Sequence, residues 1–492
     1  MLAPAGKDPV SAGRRSSWQA RIVCLSVFGP YVAGAARTEQ IVVFSLFAWI
    51  MVTGWRRMLS APCGPAPFLV TWSALYAVIL IATAFRPLDP MDYGPQPPSH
   101  VLAAFMLPMA LMTLTWYWSA LDPAPVLRTV ASCVVWGMCA NAVAAFAQLA
   151  AGKAAIGTLP HFWDAAPAAG SVAADAAENG RYTGIFDQPA EAGIAYGIAL
   201  LLLIWLARQG WKPLPVTCTA ALLVTGGVLT LSKVFLLAAL PVAVVTVLRG
   251  RARIRVLTVT TVVLSASWLA GVAGLLPGWH LGSQALDSLL HPHTSLTAQY
   301  TADRYGSAGT LAPEFTDVLR NAAVAGFGAG GLNGPAYDSL WQQVLVVSGL
   351  IGVILAATVF LLLAGRLLAL RRMLRREDWQ LACGAAVLAA GASLGIPSLT
   401  ANRAGTLLWL VLGVLVTARA PARPEVPAGS STTCAARVSY RLISSRPRRS
   451  RWRMPRPADR PAPGANARYH GTGHRRPSSR GMRRYAGSAR RP

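Results

Sequence analysis

From about Ala20 to Ala418, apolar runs of membrane length alternate with short polar links, and arginine gathers in every second link. Crossing a bilayer core takes roughly 20 apolar residues in a helix. Open strand edges find no partner in lipid, and the period-two alternation of a barrel is absent, so the runs read as helices. Their predicted spans are 19–36, 39–55, 66–85, 100–121, 126–151, 191–208, 214–232, 234–248, 256–276, 343–366, 379–397 and 403–419, twelve in all. The first, second, seventh and eighth are the weakest. Gly29-Pro30 in the first and Pro241 in the eighth predict kinks rather than breaks.

The links sort by charge. Arg14, Arg15, Arg21, Arg56, Arg57, Arg128, Arg208 and Lys212 fall in one set, with Arg249, Arg251, Arg253, Arg255, Arg371, Arg372, Arg375 and Arg376. Cationic short loops face the cytoplasm. The opposite set, 86–99, 152–190 and 277–342, is long and poor in cations, and is expected outside. Both termini are then cytoplasmic. The first apolar run lacks a small-residue cleavage site and reads as a signal anchor. The expected fold is an all-α polytopic membrane bundle of about 12 transmembrane helices. It comprises an N-terminus over 1–18, a membrane domain over 19–419 and a disordered basic tail over 420–492. Within it, 277–342 should form a large helical extracytoplasmic loop, with helix-like stretches at Leu281–Leu290 and Ala312–Ala323.

Composition agrees: only 13% of residues are charged, against about a quarter in soluble chains. The net charge of +26 suggests nucleic acid until it is located, since 18 Arg against Glu425 and Asp459 in residues 421–492 contribute +16 of it. That tail is rich in Pro, Ser, Gly and Arg, a composition that does not bury a core. Its arginine pairs suit the anionic lipid of the inner leaflet, and no nucleic-acid partner is expected. The seven cysteines show no CxxC or Cys/His spacing, so no metal site and no disulfide framework are indicated.

Candidate chemistry gathers on the expected outer side. Arg181-Tyr182-Thr183-Gly184-Ile185-Phe186-Asp187-Gln188-Pro189 leads into the sixth span, with Glu191 just beyond. Ionisable groups at this depth are costly and tend to be functional. Leu231-Ser232-Lys233 joins the seventh and eighth spans with almost no loop. Gly326 to Gly331 could expose backbone N–H groups in an anion-binding nest. Asp338-Ser339 and Gly349-Leu350-Ile351-Gly352 follow, and Asn402-Arg403 opens the last span. Arg181, Lys233, Arg320 and Arg403 are thus four outer cations where the charge rule disfavours cations. An anionic ligand at the outer leaflet, such as a lipid-linked diphosphate, would account for all of them.

At these residues the sequence resembles the superfamily of O-antigen ligases and Wzy-type polysaccharide polymerases. Three ordered patterns carry the likeness: Arg181-x-x-Gly184-x-Phe186-x-x-Pro189, then Leu231-Ser232-Lys233, then Gly326 to Gly352 with Asp338-Ser339 as the polar dyad. It covers about 180–420. The resemblance implies a membrane glycosyltransferase of cell-envelope polysaccharide biosynthesis in the plasma membrane of a bacterium. It would move a glycan from undecaprenyl diphosphate to a glycan acceptor, with inversion and without metal or other cofactor. It matches Arg181 and Lys233 to the family's functional cations, which with Arg320 and Arg403 would bind the diphosphate. Asp338 takes a position that is His in many ligases, which leans towards a polymerase. Asp338 and Glu191 are the candidate general bases, ahead of His291 and His293. The main alternative is a polysaccharide or lipid-linked glycan transporter or flippase, disfavoured because few charges lie mid-span. A glycosyltransferase with an acidic motif in the first outer loop is disfavoured because that loop, about 36–39, is too short.

Overall fold

A computed structural model describes residues 9–33, 36–54, 65–85, 98–119, 123–151, 153–158, 160–163, 172–249, 312–330 and 339–417, with isolated positions 263 and 266. Contacts divide the chain into two units, Met1–Pro424 and Glu425–Pro492, and all described residues belong to the first. The ninth predicted span apart from 263 and 266, most of the 277–342 loop and the tail lie outside the described residues.

The described chain is mostly helical. In order come α1 (Pro9–Ser26), a two-stranded hairpin of β1 (Tyr31–Ala33) and β2 (Ala36–Arg37), α2 (Thr38–Thr53), α3 (Ala66–Phe85), α4 (Pro98–Ser119) and α5 (Pro123–Ala151). Short helices α6 (Lys153–Gly157) and α7 (Val172–Glu178) precede α8 (Pro189–Arg208) and α9 (Pro213–Leu229). A π turn (Val234–Ala239) runs into α10 (Leu240–Leu248). Last come α11 (Ala312–Asn321), α12 (Leu340–Leu370), α13 (Arg376–Ala392) and α14 (Asn402–Thr417).

Five of these, α3, α4, α5, α8 and α12, are long and apolar enough to cross a membrane; α2, α9, α14 and the Val234–Leu248 stretch are apolar but shorter. A helical bundle with several membrane-length helices therefore stands, and a count near twelve is not shown. The first predicted span is corrected. Its helix ends at Ser26, before Gly29-Pro30, and the chain then turns through the hairpin. Pro30 cannot donate a helical N–H, and its carbonyl accepts instead from the Thr38 backbone (3.2 Å) and hydroxyl (2.6 Å). The interruption is a break, and the first link runs from about 27 to 37 rather than 36–39.

Burial explains the apolar character of each helix. In α3, Phe68, Trp72, Leu75, Ile79 and Ala82 recur at helical spacing and face inward. Its outward residues Val70, Leu80, Ile81 and Phe85 are equally apolar and exposed, as suits a lipid-facing surface. By contrast α8 is buried nearly all round, against α5, α9, α10, α13 and α14. Lipid gives little hydrophobic drive between helices, so close packing of small residues does more of the holding. A side chain at Gly193 would meet Ser232 Oγ at 2.4 Å, and one at Gly197 the Ala239 side chain at 2.5 Å.

Both ends of α8 are polar, and its 20 residues span about 30 Å, the thickness of a bilayer core. At its C-terminal end Trp205 donates to Asp378 (2.7 Å), Arg208 donates to Gln380 and the Thr246 carbonyl, and Arg375 pairs with Asp378 (3.1 Å). Arg208 and Arg375, from two of the Arg-rich links, therefore meet at one end. The hairpin, the 181–188 loop and the start of α14 meet at the other.

Candidate functional site

The loop before α8 has no regular secondary structure, yet side chains satisfy its backbone almost group by group. Asn141 and Gln148 lie seven residues apart on α5, two turns along one face. Asn141 Nδ2 donates to the Thr183 carbonyl (3.2 Å) and its Oδ1 accepts from the Ile185 N–H (2.7 Å). Gln148 does the same for both backbone groups of one residue, donating to the Gly184 carbonyl (2.7 Å) and accepting from the Gly184 N–H (2.9 Å). Trp163 Nε1 donates to Gly184 O (2.9 Å), and the Thr183 hydroxyl to Phe186 O (2.7 Å). Buried backbone groups require such partners. Gly184 has a φ of +67°, and a Cβ there would lie 2.2 Å from Asn141 Oδ1, so glycine alone fits.

The ends of this loop carry charge. The Arg181 N–H donates to Ala176 O (2.8 Å) and its Nε to Thr230 O (3.4 Å), while the Tyr182 N–H donates to Leu229 O (2.9 Å). Arg181 is thereby joined to the turn that holds Leu231-Ser232-Lys233. That turn is unusual: Leu231 adopts a φ of +46°, a conformation costly for a residue with a Cβ. Lys233 is half-buried and stands directly before the π turn, a feature frequent at functional sites.

At the other end, Asp187 Oδ2 accepts from the Tyr31 hydroxyl (2.7 Å) and Asn402 Nδ2 (3.2 Å), and Oδ1 lies 3.9 Å from Arg403 Nη1. Burial first, and the Asp187 charge next, push the Tyr31 phenol well above its ordinary range, so it stays a donor. The Arg403 side chain is 0% exposed. It donates to the carbonyls of Ile185, Gly29 (3.0 Å) and Phe162 (3.1 Å) and lies over the Tyr31 ring. Glu191, 2% exposed, accepts from the Ala404 N–H (3.3 Å). Nearby, Arg37 and Glu39 form a fully buried ion pair at 3.0 Å. Glu39 and Glu191 occupy the first turns of α2 and α8, where the positive end of each helix dipole favours a carboxylate.

The predicted residues thus separate. Arg181 is brought to the Lys233 turn, and Glu191 and Arg403 join one buried ionic cluster behind the loop. Arg403 was expected at the rim facing a ligand; the structure turns it inward onto backbone carbonyls, which a five-donor guanidinium can serve at once. Arg320 is exposed on α11 and makes no described contact with the other three cations. Asp338, His291 and His293 lie outside the described residues. The glycine segment is also corrected. The N–H groups of Gly326, Phe327, Gly328 and Ala329 donate to Ala322 O, Val346 O, Val347 O and Thr83 Oγ1, so none of these four is open to an anion.

Tyr31, Arg37, Glu39, Asn141 and Gln148 were not singled out from sequence. For the two amides a signal existed: polar groups seven apart within a long apolar helix. For the first link, reading it as too short hid its charged pair. Among the described residues no group of three or more His, Cys, Asp or Glu side chains is placed to hold a metal ion. No family model matches the chain, and no curated protein matches it.

Proposed function

We propose that the chain is a membrane glycosyltransferase that moves a glycan from an undecaprenyl-diphosphate carrier to an acceptor hydroxyl at the outer face of a bacterial plasma membrane. The observation that carries this reading is the junction of two separately predicted motifs, Arg181 bonded to the Thr230 carbonyl that directly precedes Leu231-Ser232-Lys233, at the end of α8 opposite Arg208. In the proposed reaction the acceptor oxygen attacks the anomeric carbon and the bond to phosphate oxygen breaks. The diphosphate leaves with the electron pair, and the hydroxyl proton passes to a carboxylate. Negative charge grows on the leaving diphosphate, where preplaced cations stabilise the transition state. Arg181 and Lys233 are the proposed cations. Asp338 is the proposed base, because Glu191 is enclosed and already accepts an N–H. Both termini then lie in the cytoplasm, with the arginine tail against anionic inner-leaflet lipid.

A second reading, glycan transport, draws support from the break in α12 at Gly349 (φ +61°), since transporters use discontinuous helices. One assay separates the two. Full-length protein in proteoliposomes is given a lipid-diphosphate oligosaccharide and acceptor. Covalent extension is expected, falling about 10²- to 10³-fold in Arg181→Ala and Lys233→Ala at equal protein level. Movement of the unaltered lipid across the bilayer without extension would instead assign transport.

A further inference from the structure

We infer that Asn141 and Gln148 are positioning residues that hold Arg181 in register with Lys233. The inference rests on the diphosphate-binding reading of those two cations. A side-chain amide presents donors and an acceptor on a single rigid plane without carrying charge. Two of them, on one face of α5, grip adjoining peptide units of the loop from both sides. A buried amide without partners is costly in an apolar helix; Gln148 meets that need on the loop, and Asn141 on the loop and the Tyr196 hydroxyl (3.0 Å). The grip begins two residues after Arg181, whose own N–H and guanidinium are tied to Ala176 and Thr230. The backbone therefore has little freedom to shift between Arg181 and the clamp. The clamped residues Thr183 and Gly184 are buried, whereas Arg181 is only partly covered at the end of the loop. This is the arrangement of a ligand-facing group preorganised by a supporting shell. A displacement of about 1 Å at such a site can cost about a hundredfold in rate.

The test uses full-length protein in nanodiscs, with farnesyl diphosphate as the binding probe and hydrogen exchange of the 182–187 peptides as the structural readout. In Gln148→Met, exchange at Gly184 and Ile185 should accelerate at least about tenfold, and farnesyl diphosphate should bind about tenfold more weakly. The double variant Gln148→Met/Arg181→Ala should bind no more weakly than Arg181→Ala alone, because a clamp that acts through Arg181 has nothing left to position. Trp163→Phe, which removes one of two donors to Gly184 O, should show the same effects in smaller degree and serves if Gln148→Met does not fold. Unchanged exchange, or losses that simply add in the double variant, would overturn the positioning role alone. If Arg181→Ala by itself leaves farnesyl diphosphate binding intact, the diphosphate reading falls, and the positioning role falls with it.

Discussion

Arg403 and Arg320 show how differently two arginines expected on the same side can be used. Both were expected among the outer cations, yet one is enclosed among carbonyls and Asp187 while the other is exposed on α11. Removing Arg403 leaves the carbonyls of Ile185, Gly29 and Phe162 without this donor, and buried acceptors left unsatisfied cost about 1–3 kcal/mol each. Arg403→Met should therefore lower the stability of the purified protein by that order, read as a clear fall in thermal midpoint in detergent. Arg320→Ala, on the surface, should stay within about 0.5 kcal/mol of the parent. An unchanged midpoint for Arg403→Met would mean that the buried tie contributes little. The chain in this region was legible as charged, since Asp187, Glu191 and Arg403 stand out in an apolar sequence. Which groups they meet was not, because Tyr31 and Asp187 are 156 positions apart.

Among the elements, α12 is the clearest case of a helix completed by another segment. At Gly349 its path breaks, with φ +61° and ψ −159°. The freed carbonyls of Val346 and Val347 accept from Phe327 and Gly328, and the freed N–H groups of Leu350 and Ile351 donate to Ala323 (2.8 Å) and Val324 (3.3 Å). Such a break survives at membrane depth only if neighbouring backbone replaces the lost bonds. The glycines are there for close approach: a Cβ at Gly349 would lie 2.5 Å from Val324 backbone atoms, and one at Gly326 would lie 2.4 Å from Ser348 N. Gly349→Ala should therefore separate the two segments as well as strain the backbone, with a loss of more than about 1–2 kcal/mol. Faster hydrogen exchange confined to 323–328 and 346–351 would report it. Normal exchange there would show that the segments do not depend on this approach. The hydropathy of 343–366 predicts the helix well, but an apolar run looks the same whether its axis is straight or broken.

For the molecule as a whole, the arginine pattern and the polarity of α8 make one joint prediction about sidedness. The C-terminal end of α8 gathers Arg208, Arg375 and Gln380, and its N-terminal end gathers the loop and the ionic cluster. If the positive-inside rule governs this chain, the two ends lie in different compartments. In a variant cleared of native cysteines, Asn179→Cys should react with a membrane-impermeant maleimide on intact cells, and Lys212→Cys only after permeabilisation. Both positions are exposed in the structure. Reaction of both from the same side would remove the outer-face assignment and with it the proposed site of glycan transfer.

The sequence alone determined that this is a helical, membrane-type chain and where most of its helices run, because burial in lipid demands long apolar segments and leaves few alternatives for the backbone. It also determined which ionisable residues interrupt those segments, since charge is rare there and conspicuous. Tertiary structure decided what those residues touch. Arg403 faces inward, residues 326–329 serve a broken helix with their N–H groups, and two amides in α5 hold the loop at residues 183–185. Each of these rests on pairings between residues far apart in the chain. A pattern along one strand of sequence records which groups need partners, and only the folded bundle supplies them.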